Sequence, residues 1–276
     1  MLKYSGRTPH EGAICLTGRT LAFDTSTRAI SVALLEGERV VAERRHSPES
    51  AGSSRLLAPT IQELLSSQSW QFSDLDRLVI PVGPGSFSGL RMGLVTAKIL
   101  AYASGLTIAG LNTLQVIAFR GFELSGDSDA IRRQLQEPII AVLDAQRGEL
   151  FAQPFALDQA GLPQALAPRE IIVAAELARH FPKGRFTGSG LRVFAKRTGV
   201  PRPNAIMAEG RAALPEELAH RATSVEVWDS TASAAGQLAA RLGTALTPVD
   251  CWSLLPDYGR TSAAEEKAIH RSPAND

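Results

Sequence analysis

Residues 83–93 read GPGSFSGLRMG and lie between an apolar run, RLVIPV at 77–82, and a longer apolar segment. This pattern predicts a buried strand, a Pro-Gly turn and a helix over 87–104 whose first turn is capped by Ser86. The loop lacks the lysine of a GxxxxGK[ST] phosphate loop, and its glycines do not fit GxGxxG. Because amides at a helix N-terminus attract anions, phosphate binding at this loop stays open as an alternative.

Small residues recur at every fourth position of the predicted helix, at Gly89, Gly93, Ala97 and Ala101. This spacing puts them on one face, which therefore carries almost no side chain. Glycine inside a helix costs about 0.5–1 kcal/mol relative to alanine, so two of them indicate close approach of another backbone. That backbone belongs either to the same chain or to a partner, and the spacing does not choose between them. The residues expected to pack the opposite face on a sheet are Leu90, Leu94, Ile99 and Leu100.

The segments around this loop predict an α/β chain. Residues 20–25 form an apolar strand that ends in Asp24, and an antiparallel meander follows as far as residue 45. The other predicted elements of the first half are a helix at 55–68, strands at 77–82 and 107–110, and helices at 87–104 and 112–122.

Residues 138–157 repeat the opening pattern, because an apolar strand ends in Asp144, a short turn holds Gly148 and a second strand follows. We interpret this as a structural echo, with one strand–turn–strand unit at the start of each of two lobes. Further predicted elements are a helix at 170–181, a short strand at 186–190 and a helix at 230–243. The predicted domains are a flexible N-terminal extension at 1–19, a first lobe at 20–122, a second lobe at 137–260 and a frayed tail at 261–276. For the last segment of the second lobe, a return to the first lobe is left open as an alternative.

The composition limits the classes of function. Of 276 residues, 44% are hydrophobic and 21% charged, and the net charge of +1 gives no basic excess of the kind that nucleic-acid binding uses. Two distant cysteines, Cys15 and Cys251, fit a reduced cytoplasm better than a disulfide framework. No two of the five histidines have the i, i+4 spacing of a helical metal site. No apolar run reaches the roughly 20 residues of a membrane span.

Several motifs, in the same order along the chain, resemble those of one family. GPGSFSGLRMG is similar to the GPGSFTGLRxG signature of the bacterial TsaB (YeaZ) proteins, which belong to the ASKHA superfamily of sugar kinases, actin and Hsp70-type ATPases. LAFDTST at 21–27, RLLAPTIQELL at 55–65 and LDAQRGELF at 143–151 resemble that family's opening strand and turn, first helix and IDARRGEVY segment. The family's C-terminal PxYxRxxxAE pattern is matched at Pro256, Tyr258, Arg260, Ala264 and Glu265.

The resemblance covers nearly the whole chain from about residue 20, with local departures. Ser88 replaces a usual threonine, Gly259 replaces a usual leucine, and Ser53 and Ser54 occupy the place of a frequent histidine. It implies a two-lobed ASKHA fold, which is ribonuclease H-like, with mixed sheets flanked by helices.

The function implied by the resemblance is that of a non-catalytic scaffold in the synthesis of N6-threonylcarbamoyladenosine, next to the tRNA anticodon. Such a protein pairs with the catalytic paralogue TsaD, works with the ATPase TsaE, forms a homodimer when alone and meets tRNA only through the complex. No intrinsic cofactor is expected, and ATP or ADP would bind at the interface of the assembled complex. TsaD's iron site uses paired histidines at helical spacing, which this chain lacks.

The resemblance also implies that the first two helices form the partner interface. The residues expected there are Leu56, Leu57, Ile61, Leu65, Gly89, Gly93 and Ala97.

The alternative hypothesis is an ASKHA-type ATPase or small-molecule kinase that uses Asp24 and Asp144, since phosphoryl transfer needs carboxylates to hold Mg²⁺. Residues that could hold a nucleotide or phosphate are Asp24, Thr25, Ser26, Ser86 and Asp144. Two features favour the scaffold: the first turn has no glycine, and the second holds the bulky cation Arg147. No catalytic residue or metal ligand is assigned, and a peptidase is excluded because no nucleophile–base set is present.

Overall fold

The computed structural model describes residues 18–46, 53–123, 137–197, 214–247 and 249–260. The first sheet has five strands in the order β3-β2-β1-β4-β5, with β1, β2 and β3 antiparallel and β1, β4 and β5 parallel. Its strands are β1 Arg19–Asp24, β2 Ile30–Glu36, β3 Arg39–His46, β4 Arg77–Gly83 and β5 Thr107–Asn112. This is the mixed topology expected for the first lobe of an ASKHA fold.

Helices cover both faces of the first sheet. On one face lie α1 (Leu57–Ser67) and α2 (Phe87–Ser104), which share a core with the odd-numbered residues of β1, Leu21 and Phe23. On the other face lie α3 (Thr113–Glu123) and α7 (Ala232–Leu242), which pack around the small even-numbered Ala22. Because side chains alternate along a strand, β1 supplies one core with large residues and the other with small ones.

The second sheet has the order β10-β6-β7-β8, and β9 also pairs with β7. Its strands are β6 Ile139–Asp144, β7 Glu149–Leu157, β8 Pro163–Ala165, β9 Glu170–Val173 and β10 Arg185–Thr187. The short helices near it are α4 Leu177–His180, α5 Arg192–Arg197 and α6 Glu216–Ala219. A core that includes the buried Trp228 covers one face, and α3 covers the other.

Helix α3 lies between the two sheets. Val116 and Phe119 belong to the core of the first sheet, whereas Leu114, Ile117 and Phe122 belong to the core of the second. Because α3 contacts both cores, it has no broad polar face, as expected for a buried helix.

The prediction of a helix over residues 170–181 is wrong at its start. The structure has strand β9, paired with β7 through Ile171 and Phe151, and then the single-turn helix α4. The three β-branched residues Ile171, Ile172 and Val173 explain this outcome, because they fit a pleated strand better than a helix.

Two segments from the end of the described chain lie against the first sheet. Helix α7 is capped by Thr231, whose side chain accepts a hydrogen bond from the amide of Ala234 at 3.3 Å, and it packs on β1 and β2. Further on, the amide of Val249 donates to the carbonyl oxygen of Ile108 at 2.9 Å, and Leu254 is buried in the first core. The predicted domain limits stay a prediction, and residues 1–17 and 261–276 lie outside the described residues.

None of the helices within the described ranges combines the length and apolarity that a bilayer span requires.

Candidate functional site

The glycine loop packs on the turn between β1 and β2 of its own chain. A Cβ atom on Gly89 would lie 2.0 Å from the carbonyl oxygen of Thr25, and one on Gly85 would lie 2.2 Å from that of Ser26. At Gly93 the obstacle is the Thr25 hydroxyl oxygen, 2.3 Å away. These distances leave no room for any side chain, so the glycines allow α2 to lie directly on the turn.

Hydrogen bonds fix the same contact. The amide of Ser86 donates to the carbonyl oxygen of Ser26 at 2.7 Å, and the Thr25 hydroxyl donates to the carbonyl oxygen of Gly89 at 2.8 Å. Ser86 also caps α2, because its side chain accepts from the amide of Gly89 at 3.3 Å. Of the two alternatives for the small face of α2, the contact described here is the one within the chain.

This packing places most of the predicted interface residues in the interior. Leu57, Ile61 and Leu65 are buried in the first core, because the apolar stripe of α1 faces the sheet. The small face of α2 is likewise covered, with Gly93 and Ala97 buried. The two that are only partly covered are Leu56 and Gly89. None of the seven residues named for the partner interface is exposed in the single chain, and their assignment to that interface stays a prediction.

The exposed apolar residues of α2 lie on a different face. Val95, Ile99 and Tyr102 have the spacing i, i+4, i+7, and they are 55%, 61% and 58% exposed. We call these three residues the α2 face. Ile99 was expected to pack on the sheet, but it points away from it, because Leu90, Leu94, Ala97 and Ala101 already form the buried side.

The C-terminal segment 249–260, which we call the strap, extends this apolar surface. Trp252 and Leu255 are 67% and 72% exposed, and the Trp252 ring meets the Tyr102 ring edge-on with centroids 5.6 Å apart. At the other end of α2, the half-exposed Phe87 contacts Tyr258 of the strap at 4.5 Å between centroids. Large apolar side chains grouped in this way are typical of a protein-docking surface.

The charges that α2 itself carries have one sign. Helix α2 contains Arg91 and Lys98 and no acidic residue. Within the described ranges neither cation forms an ion pair: Arg91 lies over the Phe87 ring at 5.4 Å, and Lys98 donates to the carbonyl oxygen of Trp252 at 3.5 Å.

The candidate nucleotide site is closed around Asp24. This carboxyl is 0% exposed, and its Oδ1 accepts hydrogen bonds from the amide and the hydroxyl of Ser26, both at 2.7 Å. Burial raises the pKa of Asp24, and hydrogen bonds from Ser230 and Ser26 offset only part of that rise. Thr25 is also buried, so α2 would have to move before a phosphate could reach this turn.

Asp144 occupies the corresponding position in the second sheet. It ends β6, is partly exposed, and its Oδ1 accepts from the amide of Gln146 at 2.8 Å, two residues on, as Asp24 does from Ser26. Both aspartates thus stabilise the turn of an antiparallel strand pair, which agrees with the structural echo seen in the sequence. In the part of the chain that the structure describes, no three His, Cys, Asp or Glu side chains are grouped as a metal site would need.

Sequence reasoning missed Val95, Tyr102, Trp252 and Leu255 as surface residues. The i, i+4, i+7 spacing on α2 was a usable signal of an exposed apolar face. The stripe of Leu90 and Leu94 is enough to pack the helix on a sheet, so a second apolar stripe has to face something else. Trp252 and Leu255 gave no such signal, because they lie in a segment without regular secondary structure.

The comparisons with known proteins agree with this architecture. The family model for TsaD, tRNA N6-adenosine threonylcarbamoyltransferase, matches residues 41–250. The chain is 29% identical over 154 residues to the "tRNA threonylcarbamoyladenosine biosynthesis protein TsaB" of Bacillus subtilis, a match covering 56% of this chain and 62% of the relative. It is 31% identical over 144 residues to the Escherichia coli protein of the same name, covering 52% and 58%. The matched region thus spans about three fifths of these relatives.

Among solved structures, YeaZ from Pseudomonas aeruginosa matches with a TM-score of 0.65 and 22% identity, covering 87% of this chain and 99% of that one. This likeness shows the fold. Two helix-flanked mixed sheets, each opened by an aspartate-ended strand pair, define a protein of the ASKHA-like class. Within that class, the family model and the curated relatives show that the chain belongs to the TsaB (YeaZ) family.

Proposed function

We propose that this chain is a non-catalytic subunit in the biosynthesis of threonylcarbamoyladenosine in tRNA, and that it docks on a TsaD-type paralogue. The reaction comes from the names of the relatives, TsaB proteins of threonylcarbamoyladenosine biosynthesis. The observation that carries the docking role is the exposed α2 face, Val95, Ile99 and Tyr102. A surface of this kind gains free energy when a partner covers it.

The closed turn at Asp24 supports a non-catalytic role. A kinase or ATPase needs carboxylates that reach Mg²⁺ and backbone amides that reach phosphate. Here Asp24 is buried, and the space next to its turn is filled by the chain backbone at Gly85 of the glycine loop and at Gly89 of α2. The same packing that rigidifies α2 as a docking element thus removes the first turn from phosphate chemistry.

In this proposal, the rest of the system assembles on the pair of chains. A TsaE-type ATPase joins it, tRNA is met through the complex, and ATP or ADP binds at the paired interface in the cytoplasm. Without its paralogue, the chain forms a homodimer through the same face.

The test is to mix this chain with the TsaD-type protein of the same organism and measure mass by size-exclusion chromatography with light scattering. We expect a heterodimer for the wild-type chain and at least a tenfold weaker complex for Ile99→Glu, since a charge is introduced at the centre of an apolar contact. Leu166→Glu is the matched control, because Leu166 is a similarly exposed leucine of the second lobe, 58% exposed.

Two results would contradict the proposal. One is the absence of any complex at micromolar concentrations, and the other is ATP turnover by the isolated chain that Asp24→Asn abolishes. A cell-based readout adds the reaction: the Ile99→Glu chain should fail to restore threonylcarbamoyladenosine, measured by mass spectrometry of tRNA nucleosides, in cells depleted of the endogenous protein.

A further inference from the structure

We propose that the strap positions the start of α2 relative to the second lobe, and that Arg169, Asp257 and Arg260 are positioning residues for partner docking. These residues act through the glycine loop and do not touch the partner. This inference rests on the proposed function, which supplies the docking role of α2. The coupling inside the chain is measured without any partner, so the two can fail separately.

The strap lies directly on the glycine loop of the first lobe. The amide of Asp257 donates to the carbonyl oxygen of Val82 at 2.8 Å. A Cβ atom on Gly83 would lie 2.0 Å from the carbonyl oxygen of Asp257, so the two backbones are in contact there. The Tyr258 ring packs on that of Phe87, the first residue of α2, with centroids 4.5 Å apart. The strap therefore touches both the end of β4 and the start of α2.

The second lobe holds the same part of the strap through two ion pairs. The guanidinium of Arg169 donates two hydrogen bonds to the carboxylate of Asp257, one from each terminal nitrogen. The guanidinium of Arg260 pairs with Glu149, the first residue of β7. A two-point contact between guanidinium and carboxylate fixes orientation as well as distance. The Arg169 pair therefore restricts the angle at which the strap meets the second sheet.

Phe151 of β7 supports this contact from the second lobe. The Arg169 guanidinium lies over its ring at 5.5 Å. A Cβ atom on Gly259 would lie 2.6 Å from a carbon of the same ring and 3.3 Å from Cβ of Pro84 in the glycine loop. At Gly259 the strap thus contacts the second sheet and the glycine loop at once, with no room for a side chain between them.

The glycine loop passes the position of the strap on to α2 because it is short. Three residues, 84–86, connect the end of β4 to the start of α2. The strap lies against this connection, and the amide of Ser86 holds it to the carbonyl oxygen of Ser26 at 2.7 Å. A connection of three residues absorbs little displacement, so a shift of the strap moves the first turn of α2.

Hydrogen exchange of the isolated full chain, followed by mass spectrometry, measures the coupling. We expect Arg169→Lys and Asp257→Asn to speed exchange of the peptide 83–93 at least about fivefold, because the loop opens more often once the strap is released. Lysine keeps the positive charge but loses the two-point contact, so Arg169→Lys should behave like Arg169→Gln. Exchange in β1 and β6 should stay unchanged, since a partly exposed ion pair contributes little to global stability.

Two further variants make the result specific to this contact. Arg179→Gln is the control, because it removes an exposed pair with Glu176 that lies wholly within the second lobe. It should leave exchange of the peptide 83–93 unchanged. The double variant of Arg169→Gln and Asp257→Asn should exchange no faster than the faster single variant, because both changes remove the same interaction.

Partner affinity is the second readout, measured by calorimetric titration with the TsaD-type protein of the same organism. We expect Arg169→Lys to raise the dissociation constant at least about fivefold, although Arg169 belongs to the second lobe and not to the α2 face. Arg260→Gln should act in the same direction, because it removes the second ion pair. Arg179→Gln should bind like the wild-type chain.

The outcomes separate this inference from the proposed function. If exchange of the peptide 83–93 stays unchanged, or rises equally in β1 and β6, the strap does not position the loop and the inference fails. A weaker complex without faster exchange would mean that Arg169 contacts the partner, and faster exchange with unchanged affinity would mean that the loop position does not matter for docking; both overturn it. If the wild-type chain does not bind the partner, the proposed function fails, and the docking role of the strap fails with it.

Discussion

Gly89 shows how a single residue determines which face of a helix is buried. A Cβ atom at this position would overlap the carbonyl oxygen of Thr25, a backbone atom that cannot rotate away. With hydrogen in that place, α2 lies on the β1–β2 turn, and the Thr25 hydroxyl reaches the carbonyl oxygen of Gly89. The small-residue spacing was read correctly from the sequence as a close backbone contact, but the sequence did not reveal whose backbone it was.

We expect Gly89→Ala to destabilise the isolated chain, although alanine is the better helix former. Overpacking typically costs about 1–3 kcal/mol, which exceeds the gain of about 0.5–1 kcal/mol from removing a helical glycine. Urea unfolding followed by circular dichroism measures the difference, with Ser88→Ala, at an exposed neighbouring position, as the control. If Gly89→Ala leaves the stability of the monomer unchanged but abolishes partner binding, Gly89 contacts the partner and not the β1–β2 turn.

Asp24 is a buried carboxyl whose environment favours the neutral form. Its pKa is raised chiefly by burial, and the nearby carboxylate of Asp229, which is itself paired with Arg192, adds to the rise. The folded state therefore keeps a proton at pH values where the unfolded chain, with a pKa of about 3.9, has released it.

This predicts that the contribution of Asp24 to the free energy of unfolding is largest in acid, below about pH 4, and falls as the pH rises towards the folded-state pKa. Asn at this position has no proton to lose, so the stability of Asp24→Asn relative to wild type should improve with pH across that window. Denaturation at a series of pH values measures the difference between the two curves. A constant difference would show that the pKa of Asp24 is the same in both states.

At the scale of elements, the positions of α1 and α2 along the chain were predicted well from the sequence. Which face of each helix is buried was not predicted well. Apolar spacing, the cap at Ser86 and the stop at Gly105 define α2, because these are local signals. Which stripe is buried depends on what lies against the helix, and α2 has apolar residues on two sides, such as Leu94 and Val95. The error at β9 is of a different kind, because the consecutive β-branched residues Ile171, Ile172 and Val173 were a local signal for the strand that pairs with β7.

The two sides of this helix pair should respond differently to truncation. Ile61→Ala, in the core under α1, should cost about 2–5 kcal/mol of stability, since it leaves a cavity. Val95→Ala, on the α2 face, should leave stability nearly unchanged and weaken partner binding. Parallel unfolding and binding titrations on both variants measure this, and equal losses of stability would mean that Val95 is also part of the core.

At the scale of the whole molecule, the recurrence of two aspartate-ended strand pairs was readable from the sequence, whereas the ASKHA fold class came from the resemblance of the motifs to a known family. The path of the later chain was not readable, since an alanine-rich helix such as α7 carries no signal of which sheet it will cover. In the structure, α7 lies close to the first sheet at Gly236, where a Cβ atom would lie 2.4 Å from the Leu35 side chain. The first sheet therefore depends on residues from the far end of the sequence.

A fragment of residues 18–123 should consequently fail to fold on its own. It would leave the sheet face around Ala22, Ala33 and Val79 without α7. Joining residues 229–260 to it through a flexible linker should restore a cooperative urea transition, because the helix and the strap are returned. A cooperative transition of the unextended fragment, with the steepness expected for its size, would contradict this.

The late position of α7 also has a consequence for synthesis on the ribosome. Strand β5 completes the first sheet at Asn112, but Leu242 ends the helix that covers its inner face about 130 residues later, which at about 5–20 residues per second is a delay of roughly 6–26 s. During that interval α3 can cover only part of this face, and the part that α7 will cover stays apolar and exposed. Chaperones that bind nascent chains should therefore engage this protein early and release it only near the end of translation.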